Sequence, residues 1–260
     1  MRGVPIHWIL SVAVLMPVGA CSLRSSGVTA ERNSIVSTAG ATVLKLDVGS
    51  GYLRVRGEQG TDKITILGVG RAATQEALAA VTLTTSRLGD TVVVVCNIPA
   101  PQRGASGQTP SLDVDLEIPS SLSLIVVDST GESVFRHIGP ISIVHGAGSL
   151  SIGDVAGSVD VIDGTGDMVI SSVRGSVHII DGSGGISLSH VSGSVSIPRA
   201  GNGELQLEDI SGDVTIGAKR SGEVVARGVG GNFSITANGN GSIEYRDVRG
   251  RVAVPVAEQH

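Results

Sequence analysis

From residue 148 to residue 254, short runs of alternating apolar and polar residues return with a period of 18 or 19. Leu150, Met168, Ile186, Leu205, Val224 and Ile243 hold one place in that period, and Val159, Val177, Val195, Val214, Phe233 and Val252 hold another. Gly157, Gly175, Gly193, Gly212, Gly231 and Gly250 keep the same beat, at spacings of 18, 18, 19, 19 and 19 residues. Two-residue alternation marks a strand with one buried face. A constant period of this length means one structural unit stacked on copies of itself. Each period holds two half-units, as in GSLSIGDVA followed by GSVDVIDGT. The pattern therefore predicts two strands per coil, added to two parallel sheets. GxG corners fall at Gly146/Gly148, Gly164/Gly166, Gly182/Gly184, Gly201/Gly203 and Gly239/Gly241. Glycine suits them because it reaches positive φ without a Cβ clash. The expected fold is all-β, a parallel β-helix or β-roll solenoid of 18–19-residue coils. About seven coils at roughly 4.8 Å each make a rod roughly 30–35 Å long, filled by Val, Ile and Leu.

Ahead of the repeat the alternation is less regular. TVLKLDV, GYLRVRG, DKITILG, VTLTTSR and TVVVVCNIP read as strands between Gly, Asp and Asn turns. Residues 72–81 are the one stretch suited to a short helix, and PQRGASGQTP at 101–110 is a loop by composition. LDVDLEIP and LSLIVVDS then lead into the repeat. Residues 35–110 are thus expected to form an irregular N-terminal β cap over one end of a solenoid at 111–255, with a tail at 256–260. At the other end Arg246, Arg249, Arg251 and Pro255 would guard the open edge with charge and a missing donor.

Residues 1–20 read as a targeting signal. Arg2 supplies the positive start, residues 9–16 are an apolar run too short to span a bilayer comfortably, and Val18-Gly19-Ala20 precedes Cys21. The run VGAC resembles the lipobox of bacterial lipoproteins, which implies cleavage before Cys21 and acylation of its thiol. Acyl chains on Cys21 would hold the protein on a membrane without a transmembrane helix, and the polar residues 22–34 would be a tether. The expected location is the cell envelope. Ser22 resembles the pattern that permits release to an outer membrane, where the organism has one.

Composition narrows the chemistry. The 37 glycines fall between β-branched residues on a strict beat, so they punctuate an ordered array. Two Phe, two Tyr and one Trp leave little for aromatic platforms that grip sugars or single-stranded nucleic acid. With Arg2 removed, 18 basic residues face 24 acidic ones, a balance that argues against a nucleic-acid partner. With Cys21 acylated, Cys96 in VVVVC stands alone and reads as a small core residue.

Candidate chemistry lies on columns of side chains one coil apart. Asp160, His178 and Ser196 fall on successive rungs like a triad, followed by Thr215, Ser234 and Ala253. Parallel side chains on an open face offer no oxyanion hole, so a polar ladder is expected there. Asp154, Ser172, His190, Asp209, Gly228 and Asp247 form a second column, and His190 beside Asp209 is not a coordination sphere. The turns DGTG and DGSG, at Asp163 and Asp181, come closest to a calcium-binding β-roll, but RAGNG, KRSG and NGNG lack the carboxylate. The alternative is that both Asp residues cap their own turns. The GxG sequences precede no helix and mark no nucleotide site. No catalytic, cofactor-binding or metal residues and no cofactor are assigned.

VLKLDVGSGYLRVRG, then LEIPSSLSLIVVDSTGE, then recurring GSVxI and GDVTI units together resemble the putative adhesin family of exported bacterial proteins, similar to the GIN-type head of auto-transporter adhesins. The resemblance spans residues 43–254. It implies a right-handed parallel β-helix or β-roll displayed in the envelope, and it carries no catalytic residues to transfer. The expected function is a non-enzymatic, lipid-anchored protein whose solenoid faces bind a protein or surface polymer. A periplasmic structural or envelope-stress component is the alternative. A β-helix carbohydrate-active enzyme fits less well, because the coils have tight turns and no long insertion.

Overall fold

The computed structural model describes residues 27–100 and 108–255. The expected signal peptide, the lipidation site Cys21 and the tail lie outside the described residues, as does most of the loop at 101–110. Twenty-three strands form a front sheet of twelve and a back sheet of eleven, with a single six-residue helix among the described residues at Gln75–Ala80. In the repeat the chain alternates between the sheets. Front strands run from Leu150–Val155 to Ile243–Val248, and back strands from Val159–Thr165 to Val252–Ala253. All pairs between successive coils are parallel, and both apolar series read from the period are in true register. Leu150 lies against Met168, then Ile186, Leu205, Val224 and Ile243. Val159 lies against Val177, then Val195, Val214, Phe233 and Val252. The fold is the all-β parallel solenoid that the alternation predicts.

Six inward columns fill the interior, beginning in one coil at Leu150, Ile152, Val155, Val159, Val161 and Asp163. Five are mainly aliphatic, with Phe135 and Phe233 among their members, and nearly all of those members are buried. Each such side chain contributes about 1.5–3 kcal/mol by leaving water. The sixth is polar and is described below.

The corners are held by two glycine ladders of different kinds. At the first, Gly175 donates its N–H to the Gly157 carbonyl at 3.0 Å, and Gly193, Gly212, Gly231 and Gly250 repeat the bond at 3.0–3.1 Å. The next residue in each coil adds a side-chain ladder. Ser176 Oγ accepts from the Ser194 N–H at 3.2 Å, Ser194 Oγ from Asp213 at 3.1 Å, Asp213 Oδ1 from Asn232 at 2.7 Å and Asn232 Oδ1 from Arg251 at 2.9 Å. Ser, Asp and Asn recur there because a corner N–H needs an acceptor. At the second corner Gly148, Gly166, Gly184, Gly203 and Gly222 have φ between 97° and 143°, and a Cβ on any of them would lie 1.8–2.1 Å from the preceding coil's glycine carbonyl oxygen. The step from 18 to 19 residues is a bulge. His178 pairs Ser196 but Ile180 pairs Arg199, so Pro198, which has no N–H to donate, is the extra residue.

The N-terminal cap contains coils of its own, threaded out of chain order. Val43–Ser50 and Leu53–Glu58 stack in parallel between Ser123–Thr130 and Ser133–Arg136 on one side and Thr91–Asn97 and Ser111–Pro119 on the other. Antiparallel strands then cover the end. Lys63–Ala72 pairs Ser111–Pro119, and Thr82–Leu88 pairs Thr91–Asn97. The expected tether does not extend past Val28, because Val28–Glu31 and Ser34–Ser37 both pair with Lys63–Ala72. Arg32 fastens that segment by donating from Nε to the Val81 carbonyl at 2.9 Å and from Nη2 to the Leu78 carbonyl at 3.0 Å, at the helix C-terminus.

A Cβ on Gly193 would lie 2.6 Å from both the Gly175 carbonyl oxygen and Ser176 Oγ. Gly193→Val is expected to cost about 3 kcal/mol or more through overpacking against backbone. The check is the urea midpoint; a wild-type midpoint would refute the corner assignment.

Candidate functional site

The residue that leads each front strand into the first corner is left-handed. His137, Asp154, Ser172, His190, Asp209 and Asp247 have φ between 54° and 57°, and Gly228 in the same column has φ 68°. A left-handed residue here lets the following Val or Ile turn inward. Short polar side chains bear that conformation better than branched ones. The column therefore presents one polar side chain at every rung but that of Gly228, about 4.8 Å apart. Beside the cap it forms the floor of a groove of about 800 Å³, walled by Arg56, Glu58 and Arg174. His137 Nε2 lies 3.6 Å from Asp154 Oδ2, and His190 Nε2 lies 3.5 Å from Asp209 Oδ2. These exposed pairs contribute little to stability. They leave donors and acceptors facing the groove.

The second polar array is internal. Asp128, His145, Asp163, Asp181, Ala200, Lys219 and Asn238 succeed one another along the sixth inward column. Asp163 and Asp181 are thus interior residues: they share the inward parity of Val159 and Val161, and do not face solvent at the corner. Asp128, His145, Asp163, Asp181 and Lys219 are all buried. His145 Nδ1 donates to Asp163 Oδ1 at 2.6 Å, Ser133 Oγ donates to Asp128 Oδ2 at 2.5 Å, and the Gly201 N–H donates to Asp181 Oδ2 at 3.0 Å. Lys219 Nζ donates to the carbonyls of Gly203 at 2.5 Å, Gly201 at 3.4 Å and Ser221. Asp128 Oδ1, His145 Nε2, Asp163 Oδ2 and Asp181 Oδ1 have no hydrogen-bond partner among the described residues. Burial raises the Asp128 and Asp181 carboxyls above their usual range. Burial alone would lower the His145 imidazole, but the hydrogen bond to Asp163 and the charges of Asp163 and Asp128 carry it above its usual value. Burial lowers Lys219.

The triad-like column is an exterior ladder. Asp160, His178 and Ser196 are in register on the outer face, and no side-chain hydrogen bond joins them among the described residues. Among the described residues, no group of three or more His, Cys, Asp or Glu side chains is arranged to hold a metal ion. Cys96 is buried and free, and burial followed by the charges of Asp47 and Asp128 pushes its thiol up to about 12. No helix among the described residues is long and apolar enough to cross a membrane. His145, Asp128 and Lys219 escaped the sequence reading, although parity was available for His145, which alternates inward with Ile141 and Ile143.

The geometry defines a parallel β-solenoid with a polar corner groove and a buried ionisable column. No protein-family model matches the chain, and no curated protein matches it in sequence. Solved structures that align with it include a putative cell adhesion protein from Clostridium sporogenes, at 13% identity over 87% of this chain and 99% of that one, with a TM-score of 0.37. A putative adhesin from Parabacteroides merdae aligns at 12% identity over 87% and 96%, with a TM-score of 0.40. A putative lipid binding protein from Parabacteroides distasonis aligns at 11% identity over 87% and 96%, with a TM-score of 0.30. Scores this low record a coarse likeness, and the solenoid assignment rests on the chain's own hydrogen bonds.

Asp128, His145 and Asp181 each hold a proton more tightly in the folded chain than in the unfolded one. Their contribution to stability is full below the unfolded values, about 3.9 for Asp and 6.5 for His, and is lost as pH rises through the raised folded values. The urea midpoint is therefore expected to be higher at pH 5.5 than at pH 8. His145→Gln combined with Asp181→Asn should flatten that slope, and a wild-type midpoint that rises from pH 5.5 to pH 8 would contradict the assignment.

Proposed function

We propose that this chain is a non-enzymatic, lipid-anchored envelope protein that binds an extended surface polymer or partner segment in the left-handed corner groove. The observation that carries this reading is the row His137, Asp154, Ser172 and His190, one side chain per coil along a groove of about 800 Å³. A ligand made of regularly spaced polar units meets a donor or acceptor at each rung, and Arg56 and Arg174 add charge-assisted donors at its wall. Such a line suits recognition. A nucleophile aligned with a base, an orienting group and an oxyanion site would suit turnover. The VGAC motif ending at Cys21 supports attachment to a membrane, with the solenoid standing clear of it.

The test has two arms. In fractionated cells, wild type is expected in the membrane fraction with an acylated mature N-terminus by mass analysis, and Cys21→Ala in the soluble fraction; an unacylated soluble wild type refutes the anchor. In binding assays on purified cell-wall polymers and host matrix, Arg174→Glu with His190→Ala is expected to weaken adhesion at least about tenfold. Adhesion that survives unchanged in this double variant refutes the groove as the binding site.

A further inference from the structure

We propose that the outer face of the back sheet is an interface between two copies of this chain, packed face to face and running in opposite directions. One outward column crosses ten of that sheet's eleven strands: Thr84, Val95, Asp47, Val127, Val144, Ile162, Ile180, Arg199, Ala218 and Ala237. Its centre is four aligned branched aliphatic side chains, with Val127 39%, Val144 45% and Ile162 49% exposed. The neighbouring column toward the corner includes Gly146, stacked on Ser129, and then Gly164, Gly182 and Gly201, each stacked against the glycine before it. Beside Val144, Ile162 and Ile180 that flank carries only glycine, so no side chain there covers the stripe. A contiguous exposed aliphatic row of this kind marks a contact surface.

The order of residues selects the occupant. Asp47 stands at one end of the aliphatic stripe and Arg199 at the other, and neither joins the ion pairs of the described residues. A second copy turned by a two-fold axis lying along the strands between Val144 and Ile162 reverses the column. Val144 then meets the copy's Ile162, Val127 meets its Ile180, and Asp47 meets its Arg199, twice per dimer. Farther out, Val95 meets Ala218 and Thr84 meets Ala237, so large residues face small ones. The adjacent outward column sets no like charges together, since Lys45 meets Ser196, Ile125 meets His178 and Ser142 meets Asp160. Self-complementarity of this kind is what a closed two-fold contact requires. Nine rung spacings span about 43 Å, and six-residue strands about 20 Å, which is comparable with the about 800 Å² per partner of a stable interface.

Sedimentation velocity on the purified full chain reads the proposal out. Wild type is expected to be a dimer. Asp47→Arg or Arg199→Asp alone places like charges together twice and should raise the dimer Kd at least about tenfold, while the double exchange should restore it. Ile162→Lys should leave a monomer with unchanged β-type circular dichroism. A wild type that is monomeric at about 100 μM, or a dimer indifferent to these charge exchanges, would overturn it. So would a monomer that loses adhesion with Ile162→Lys, since the face would then belong to a different partner.

Discussion

Everything in this molecule hangs on the constancy of register between one coil and the next. Parallel strands only 4.7–4.9 Å apart repeat the same side chain above itself only if every corner has the same shape. The corners achieve that by bringing backbone onto backbone. The Gly157 to Gly250 ladder stacks N–H on carbonyl at 3.0–3.1 Å, and the Gly148 to Gly222 ladder leaves no room for a Cβ at all. One inserted residue would shift every inward side chain to the outside. The chain accommodates the change from 18 to 19 residues through a bulge at Pro198, after which every coil keeps the longer length.

That register has an electrostatic cost where a column is polar. Stacking places Asp163 and Asp181 one rung apart in the interior, with His145 and Asp128 above them and Lys219 below. Water cannot dilute these charges, so burial raises the Asp128 and Asp181 carboxyls, while the His145–Asp163 contact and the carbonyls around Lys219 satisfy the other groups of the column. The position is the last inward one before the second glycine corner. Bare backbone groups crowd there, and polar side chains meet N–H and carbonyl partners that an aliphatic one would leave unpaired.

The same stacking turns each coil's exterior into rows, and the two sides differ in chemistry. The first corner, where a left-handed residue leads into the turn, presents short polar groups and a groove suited to hydrogen bonding. The back sheet carries its aliphatic row beside glycines, a flat surface suited to apolar contact. Separate surfaces allow one rod to pair with its copy and still meet a ligand.

The period and the two-residue alternation by themselves determined the coil length, the two sheets, the glycine corners and the two apolar series that begin at Leu150 and Val159, because each reflects contact between neighbouring rungs. The inward placement of Asp163 was also legible, since it alternates with Val159 and Val161; its neighbouring glycines suggested a turn instead. Only the tertiary structure decided the insertion of Val43–Ser50 and Leu53–Glu58 between later coils, the recruitment of Val28–Glu31 into a sheet, and the continuous column from Thr84 to Ala237. Those arrangements join residues with no common period. They follow from the need to cover the first rung's open edge, a demand set by the assembled sheets and by no local run of residues.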